Sequence, residues 1–255
     1  MKRLLSILLA MALLITGCGE EKKVTTIEFE ELPADSYQER AIALSNGLGR
    51  IREVLNEAAE GESLTIGFIG GSITEGYGVN DRSKSYMRLV SDWFTESFPN
   101  AEFTFINAGV AGTGSDYACE RLDEDLLKYE PDFVFVEFSV NDETSFARKK
   151  CFDELMTRLE ESAKNPAILV LNMVIYNNGY SAQDMHNLVA FAHNIPAVSM
   201  RESLYRDVQD GIYAPEELAD DYIHPNELGY SLITDIITYF LEKTYSGGFS
   251  EEHYE

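Results

Sequence analysis

The stretch SLTIGFIGGSIT, residues 63–74, joins a short apolar run to a glycine-rich turn that ends in serine, isoleucine and threonine. The apolar part, residues 63–69, has the length and the flanking glycines of a strand buried on both faces. Strands of this kind are typical of parallel sheets whose two faces are covered by helices. We therefore predict a buried strand at 63–69, followed by a turn into a helix.

Four more apolar runs follow this strand, and segments with helical spacing separate them. The runs, each predicted to be a strand, lie at 102–106, 133–138, 167–175 and 196–199. The helical patterns lie at 37–59 (where Asn46-Gly47 could break the helix), 86–98, 116–129, 147–164, 183–193 and 227–245. Strands that alternate with helices imply βαβ units with right-handed crossovers. The prediction is an α/β fold, a three-layer α/β/α sandwich around a five-stranded parallel sheet.

The N-terminus has the pattern of a secretory signal. Lys2 and Arg3 precede a run, residues 4–15, that is apolar except for one serine, and this run is shorter than the roughly 20 residues of a membrane-spanning helix. The sequence Ile-Thr-Gly-Cys that ends at Cys18 resembles a bacterial lipobox. We expect residues 1–17 to be removed and Cys18 to carry a lipid that anchors the protein outside the cytoplasm. The alternative is an ordinary signal peptide, cut nearby, with Cys18 incidental.

The rest of the chain divides into three parts by composition. Residues 18–35 are predicted to form a polar tether that contains a short strand at 24–29. Residues 36–246 hold all the alternating elements and are predicted to form a single domain. The acidic segment 247–255 is expected to be a frayed tail.

Charge and cysteine content exclude several classes of protein. The 44 acidic residues against 20 basic ones give a formal charge of −24, which argues against nucleic acid as a partner and disfavours polyanionic substrates. Three cysteines do not make a disulfide scaffold. Cys119 and Cys151 are expected to be separate thiols, with a disulfide as the alternative. No metal-ligand spacing appears, so we expect no metal and no cofactor, and we expect a monomer that touches the membrane only through its anchor.

Glycine and polar residues follow the predicted strands at successive positions along the chain. Those singled out as candidates are Ser72 after the first strand, Gly109 and Gly112 after the second, Asn141 after the third, and Asp221 and His224 before the last helix. In open parallel sheets, ligands bind at the carboxyl ends of the strands. Each residue alone would be read as a turn or helix-cap residue. Their joint occurrence at the strand ends predicts one site at this edge of the sheet.

These blocks resemble those of the SGNH hydrolases, the GDSL-like esterase and acylhydrolase superfamily, over about residues 65–230. The matching blocks are Gly70-Gly71-Ser72, then Gly112 (with Gly109 as the less favoured match), Asn141, and Asp221-x-x-His224. Two positions depart from the usual family sequence: Gly71 replaces an aspartate and Ser139 replaces a glycine. The resemblance implies the flavodoxin-like fold of that superfamily. The departures bear on the subfamily rather than on the chemistry, because neither position carries the attacking atom or its proton.

The resemblance implies a Ser-His-Asp triad, and the residue chemistry agrees with it. A serine hydroxyl is a weak nucleophile without a hydrogen-bonded base. Ser72 would attack, His224 would take and return the proton, and Asp221 would orient His224. Asp142 is the rival for this last role, and we favour Asp221 because it lies close to His224 in sequence. The other histidines are expected in packing, surface or solvated tail positions: His186, His193 and His253.

An oxyanion hole is implied beside the triad. The backbone N–H groups of Ser72 and Gly112 and the side-chain amide of Asn141 would donate to the oxyanion. Thr74 is expected to support the turn of Ser72, and Tyr77 and Tyr176 are candidates for stacking on sugar. No Gly-x-Ser-x-Gly motif surrounds Ser72, which argues against an α/β-hydrolase elbow.

The function expected from these residues is a serine esterase that acts through an acyl-enzyme. The resemblance favours removal of short acyl groups, such as acetyl, from carbohydrate. Two alternatives keep the same crevice: an O-acyltransferase acting on an extracellular polymer, and a non-catalytic lipoprotein that binds glycans.

Overall fold

The computed structural model of the chain describes residues 24–255. The predicted signal segment 1–17 and the lipidation site Cys18 lie outside the described residues. A six-stranded sheet forms the middle layer. Its strands are β1 Ile42–Leu44, β2 Ser63–Gly70, β3 Glu102–Gly109, β4 Phe133–Glu137, β5 Ala167–Asn172 and β6 Ala197–Ser199, and their order in the sheet is β1-β6-β5-β4-β2-β3.

Helices cover both faces of the sheet, which confirms the predicted α/β/α sandwich. They are α1 Tyr37–Arg40, α2 Gly49–Ala59, α3 Ser72–Glu75, α4 Tyr86–Ser97, α5 Ser115–Asp125, α6 Phe146–Glu160, α7 Gln183–Ala192, α8 Arg206–Gln209, α9 Pro215–Leu218 and α10 Glu227–Ser246. Apolar side chains of α2, α4 and α10 pack with one face of the sheet. Those of α5, α6 and α7 pack with the other. Successive residues of β4 alternate between these two cores, as side chains along a strand must.

The sheet has one strand more than predicted, and the additional strand is antiparallel. Strand β1 interrupts the helix predicted at 37–59 and pairs with β6. The backbone N–H of Ser199 also donates to the carbonyl of Ala41 at 2.7 Å. The helix prediction was wrong here because pairing with a free sheet edge outweighs local helical spacing. The break at Gly47 is confirmed: its φ is +64°, and a Cβ there would lie 1.7 Å from the carbonyl oxygen of Asn194.

Both ends of the described chain differ from expectation. Residues 24–29 form no strand, although Thr25 N–H bonds to the carbonyl of Ala59 at 3.0 Å. The segment predicted to be a frayed tail instead packs on the domain and contains a 3₁₀ turn at Glu251–Tyr254. His253 accepts from Leu48 N–H through its carbonyl at 2.8 Å, and its ring Nδ1 lies 3.1 Å from Ser45 Oγ. Backbone pairing therefore orders this acidic segment.

Register brings three strand ends to the same level. Gly70 at the end of β2 lies opposite Gly109 of β3 on one side and Glu137 of β4 on the other. The loops that follow these strands therefore start side by side at one edge of the sheet. Within residues 24–255, no helix combines the length and apolarity needed to cross a bilayer.

Candidate active site

Ser72 lies at the start of a one-turn helix that begins directly after β2. Helix α3 ends at Gly76, whose left-handed φ of +99° is a conformation that glycine adopts without strain. Thr74 is fully buried, and its hydroxyl lies 2.8 Å from the Tyr86 hydroxyl. A Cβ on Gly70 would lie 2.0 Å from Thr74 Oγ1, so the turn is tight enough to require glycine at position 70. Thr74 supports the Ser72 turn, as predicted.

The structure brings Ser72, His224 and Asp221 together across 152 residues of sequence. Ser72 Oγ lies 2.8 Å from His224 Nε2. His224 Nδ1 lies 2.6 Å from Asp221 Oδ2. The other carboxylate oxygen, Oδ1, accepts from the backbone N–H groups of Ile223 and His224 at 3.0 and 2.8 Å. This is the hydrogen-bond order in which a carboxylate orients an imidazole and the imidazole faces a hydroxyl.

Neighbouring backbone holds the segment that carries Asp221 and His224. Tyr222, between them, has a positive φ of +69°, and its carbonyl accepts from Tyr176 N–H at 2.8 Å. Asn226 then caps helix α10 by accepting from the N–H groups of its first turn. The backbone of Gly78 lies so close that a Cβ there would be 2.3 Å from the carbonyl oxygen of Pro225. The base is therefore fixed by loops as well as by Asp221.

The pKa of Asp221 lies below its usual range. Burial raises it, but hydrogen bonds from the His224 ring and from the N–H groups of His224 and Ile223 outweigh that effect. The side chain is 57% exposed. Asp221 is therefore an anionic acceptor for His224 at neutral pH.

Gly112 lies in the loop after β3, is exposed and has a φ of +71°. A Cβ built on it would meet no atom within 4 Å, so this backbone faces open space. The N–H of Gly109, the less favoured match, is already used, because it donates to Asn107 Oδ1 at 2.9 Å. Gly112 is thus the glycine of this loop that a ligand could approach.

Asn141 packs directly against the Ser72 turn. A Cβ on Gly71 would lie 2.3 Å from Asn141 Oδ1. That oxygen is buried and has no hydrogen-bond partner among the described residues. The family usually has aspartate at position 71. Glycine there has no side chain, which leaves room for the Asn141 amide against the backbone just before Ser72.

The Asp142 carboxylate binds residues other than His224. It is fully buried, and Oδ1 accepts from Ser115 N–H at 2.9 Å while Oδ2 lies 3.0 Å from His186 Nε2. Arg148 Nε lies 3.5 Å from Oδ1. Of the two aspartates weighed from the sequence, Asp221 contacts His224 and Asp142 braces other elements. His186 is a packing residue, as predicted, and stacks on Phe152.

Glu137 is a site residue that sequence reasoning missed. The carboxyl group is fully buried, and Oε2 accepts from Thr74 Oγ1 at 3.1 Å and from Gly71 N–H at 3.4 Å. Burial raises its pKa to about 7, although these two hydrogen bonds lower it. The available signal was a lone glutamate in the otherwise apolar strand FVFVEF, residues 133–138.

The two tyrosines proposed as sugar platforms lie in different environments. Tyr176 is 1% exposed, so the proposal that it stacks on sugar is wrong. Tyr77 is 44% exposed, and its ring centre lies 5.7 Å from that of His224. Arg82 lies 5.4 Å from the Tyr77 ring centre. Tyr77 is therefore an aromatic surface at the rim of the site.

The two cysteines of the domain are free thiols. Cys119 Sγ donates to the carbonyl of Cys151 at 3.3 Å, which brings α5 and α6 into contact. Burial raises the pKa of the Cys119 thiol to about 11. Such a thiol is a poor nucleophile at neutral pH.

The match to a family model decides the classification. The model of the GDSL-like lipase/acylhydrolase family matches residues 68–232, from the Ser72 turn into α10. The chain belongs to this family. It is an SGNH hydrolase, as the four sequence blocks predicted. No curated protein gives a significant match to the chain.

Solved structures place the chain near carbohydrate esterases. A two-domain esterase (CEX) active on acetylated mannans has a TM-score of 0.81 and 41% identity, over 82% of this chain and 56% of that chain. The same esterase co-crystallised with mannopentaose matches at 40% identity and a TM-score of 0.81, over 85% of this chain and 58% of that one. This chain thus spans a little more than half the length of these esterases.

A more distant structure has the same fold. Axe2, an acetylxylan esterase from Geobacillus stearothermophilus, has a TM-score of 0.59 and 16% identity, over 73% of this chain and 95% of that chain. At this identity the likeness concerns the fold alone.

Proposed function

We propose that this protein is a serine esterase that removes short acyl groups, acetyl foremost, from carbohydrate. The observation that carries the proposal is the chain of contacts Ser72–His224–Asp221, 2.8 and 2.6 Å long. Ser72 is 6% exposed, so its hydroxyl is largely screened from water while it faces the imidazole. A hydroxyl held in this way can be activated by the neighbouring base.

The first half-reaction acylates Ser72. His224 Nε2 takes the proton of the Ser72 hydroxyl as Oγ forms a bond to the acyl carbon, and the carbonyl π electrons move to oxygen. The N–H groups of Ser72 and Gly112 and the Asn141 amide donate to that oxyanion. The oxyanion then collapses, the bond to the sugar oxygen breaks, and the imidazolium gives its proton to the departing alcohol.

The second half-reaction repeats these steps with water in place of serine. His224 takes a proton from water as the water oxygen attacks the acyl carbon. The bond to Ser72 Oγ breaks, and the proton returns to Oγ. The products are a free carboxylic acid, the sugar hydroxyl and the starting enzyme.

The substrate class is supported by similarity and by charge. The 41% identical structure is of an esterase active on acetylated mannans, which makes acetylated mannan the first glycan to test. A formal charge of −24 is compatible with neutral acetylated glycans and unfavourable for polyanions.

Acetate release and active-site labelling test the proposal together. The wild type should release acetate from acetylated mannan, hydrolyse p-nitrophenyl acetate and react with a fluorophosphonate probe. Ser72→Ala should lose all three, while Ser162→Ala, just beyond the C-terminal end of α6, should keep them. A wild type that neither labels nor turns over any of these esters would rule out the esterase. Transfer of acetyl to added glycan in preference to water would favour the acyltransferase.

The same proposal places the protein outside the cytoplasm, held by lipid on Cys18. Its basis is the lipobox-like sequence at 15–18 and the apolar run before it. Cells fed a labelled fatty acid should label the full-length chain, and Cys18→Ser should abolish the label and release the protein from membranes. Equal labelling of both chains would contradict the anchor.

A further inference from the structure

Two carboxylates from different elements accept hydrogen bonds from the backbone of the loop that carries Gly112. Glu75, at the end of α3, accepts from the backbone N–H of Ala111 through Oε2 at 2.8 Å. Asp142, after β4, accepts from the backbone N–H of Ser115 through Oδ1 at 2.9 Å. These two bonds fix the two ends of residues 111–115, which we call the Gly112 loop. Gly112 itself lies between them.

The interior of the Gly112 loop is held as well, but the N–H of Gly112 is left unused. Thr113 Oγ1 donates to the Val110 carbonyl at 2.7 Å, and Val110 N–H donates to the Gly70 carbonyl at 3.0 Å. Within residues 24–255 the Gly112 N–H bonds to no protein acceptor. The loop therefore presents one free donor from a backbone that is fixed on both sides.

Glycines allow both carboxylates to come this close. A Cβ on Gly109 would lie 2.3 Å from the backbone nitrogen of Glu75, and a Cβ on Gly114 would lie 2.5 Å from Asp142 Oδ1. A Cβ atom does not come that close to other atoms, so a larger residue at position 109 would displace the backbone of Glu75, and one at position 114 would displace the Asp142 carboxylate. The glycine-rich sequence 109–114 thus permits both carboxylate–backbone hydrogen bonds.

Each carboxylate also has a cation beside it. Arg82 lies 3.6 Å from Glu75. Arg148 lies 3.5 Å from Asp142, and the His186 ring lies 3.0 Å from it. The two arginines offset the negative charges, which would otherwise oppose an oxyanion forming nearby. Two paired carboxylates can therefore hold the backbone without working against the chemistry.

We propose that Glu75 and Asp142 are positioning residues that hold the Gly112 loop so that its free N–H meets the same oxyanion as the Asn141 amide. Asp142 directly follows Asn141 in sequence, so its bond to Ser115 ties the two donor segments to each other. Glu75 ties the loop to the helix that begins with Ser72. The inference rests on the proposed esterase function, because it assigns the geometry of that same site.

Amide hydrogen exchange tests whether the two carboxylates hold the Gly112 loop, and it needs no enzyme activity. Peptides covering 110–115 should exchange at least tenfold faster in Glu75→Ala and in Asp142→Ala than in the wild type. Glu75→Gln and Asp142→Asn keep an oxygen that can accept the same N–H, so their exchange should stay within threefold of the wild type. Asp132→Ala is the matched control, since Asp132 accepts from Thr65 N–H at 2.8 Å at the opposite end of the sheet.

Oxygen-to-sulfur substitution tests the role in catalysis. A thionoester places sulfur, a weak hydrogen-bond acceptor, where the oxyanion would form. The wild type should prefer p-nitrophenyl acetate to its thionoester, and Asn141→Ala should reduce that preference. Glu75→Ala should lower kcat for the ester about tenfold, which is less than the roughly 10²–10³-fold loss caused by removing an oxyanion donor altogether. KM should stay within twofold of the wild-type value, and the ester preference should fall at least fivefold. Glu75→Gln should restore both, and Asp132→Ala should leave the preference unchanged.

The outcomes separate this inference from the proposed function. Unchanged exchange at 110–115 in both alanine variants would show that Glu75 and Asp142 do not hold the Gly112 loop, whether or not the protein is an esterase. Faster exchange with an unchanged ester preference would overturn the role in positioning the oxyanion donor. A wild type without Ser72-dependent hydrolysis would overturn the proposed function and this catalytic role with it. Faster exchange in the alanine variants would still establish that the two carboxylates hold the Gly112 loop. If Asp142→Ala does not fold, Glu75→Ala decides, because Glu75 lies at the surface and is 31% exposed.

Discussion

Glu137 Oε2 accepts a hydrogen bond from Thr74 Oγ1 at 3.1 Å, which puts a buried carboxyl group against the turn that carries Ser72. Its second oxygen, Oε1, is buried with no partner among the described residues. Burial of this kind disfavours the ionised form and raises the pKa to about 7. The protein therefore keeps a neutral carboxyl group there below about pH 7.

We predict that the change in unfolding free energy caused by Glu137→Gln becomes more favourable as the pH rises. The unfolded carboxyl ionises near its ordinary value of 4.5, whereas the folded one ionises near 7. The contribution of Glu137 to the stability of the wild type thus falls as pH rises between these two values and is constant below and above them. Glutamine does not titrate. The unfolding free energy of Glu137→Gln minus that of the wild type should therefore increase by on the order of 3 kcal/mol from pH 4 to pH 8.

Urea unfolding of both proteins across this pH range measures the effect. Glu96→Gln, at an exposed position on α4, controls for loss of a glutamate charge. A difference between wild type and Glu137→Gln that is the same at pH 4 and pH 8 would contradict the prediction.

A second prediction concerns Tyr230, which ties α10 to the Ser72 turn. Its buried hydroxyl lies 2.9 Å from the Ile73 carbonyl and 2.5 Å from the Tyr77 carbonyl. Tyr230→Phe should cost about 1–3 kcal/mol, because at least one buried carbonyl loses its donor. It should also lower kcat several-fold, since Ile73 directly follows Ser72. Unfolding and esterase assays on the same preparation check this, with Tyr129→Phe, at an exposed position, as the control.

The sequence was sufficient to place the candidate site, because strand order alone aligns its parts. Ser72, Gly112 and Asn141 each follow a parallel strand, and alternating βα units put those ends at one edge. The contact between Asp221 and His224 is local, three residues apart, so proximity in sequence selected the aspartate that the structure places against the imidazole.

What the sequence could not predict depends on distant contacts. The edge strand β1 exists only because β6 lies beside it, and the C-terminal turn is ordered by Leu48 and Thr244. Glu137 looked like one polar residue in an apolar strand, and only the fold reveals that it meets Thr74. The partners of Asp142, which are His186 and Ser115, are likewise brought to it by packing.

A third prediction is that Tyr77 contributes to glycan binding and not to the chemistry. The ring is 44% exposed beside His224, while its backbone is fixed by a bond from Tyr77 N–H to the Ser72 carbonyl at 3.0 Å. Tyr77→Ala should raise KM for an acetylated mannan oligosaccharide about three- to tenfold, because a sugar face loses an aromatic surface. Hydrolysis of p-nitrophenyl acetate should change less than twofold. Tyr77→Phe, which keeps the ring, should behave like the wild type on both substrates, and equal KM values for Ala and wild type on the glycan would disprove the role.

The last prediction is that Asp221→Asn inactivates the base without unfolding the protein. Oδ1 of Asp221 accepts two backbone N–H groups, so an asparagine oxygen would stay at that position and its NH₂ group would face His224 Nδ1. Nδ1 would then have to accept, which puts the ring proton on Nε2, where it blocks proton transfer from Ser72. We expect kcat to fall about 10²–10⁴-fold, with KM and the unfolding midpoint near those of the wild type. Asp220→Asn, which changes the adjacent aspartate, controls for charge; a kcat for Asp221→Asn within fivefold of the wild type would mean that Asp221 does not orient His224.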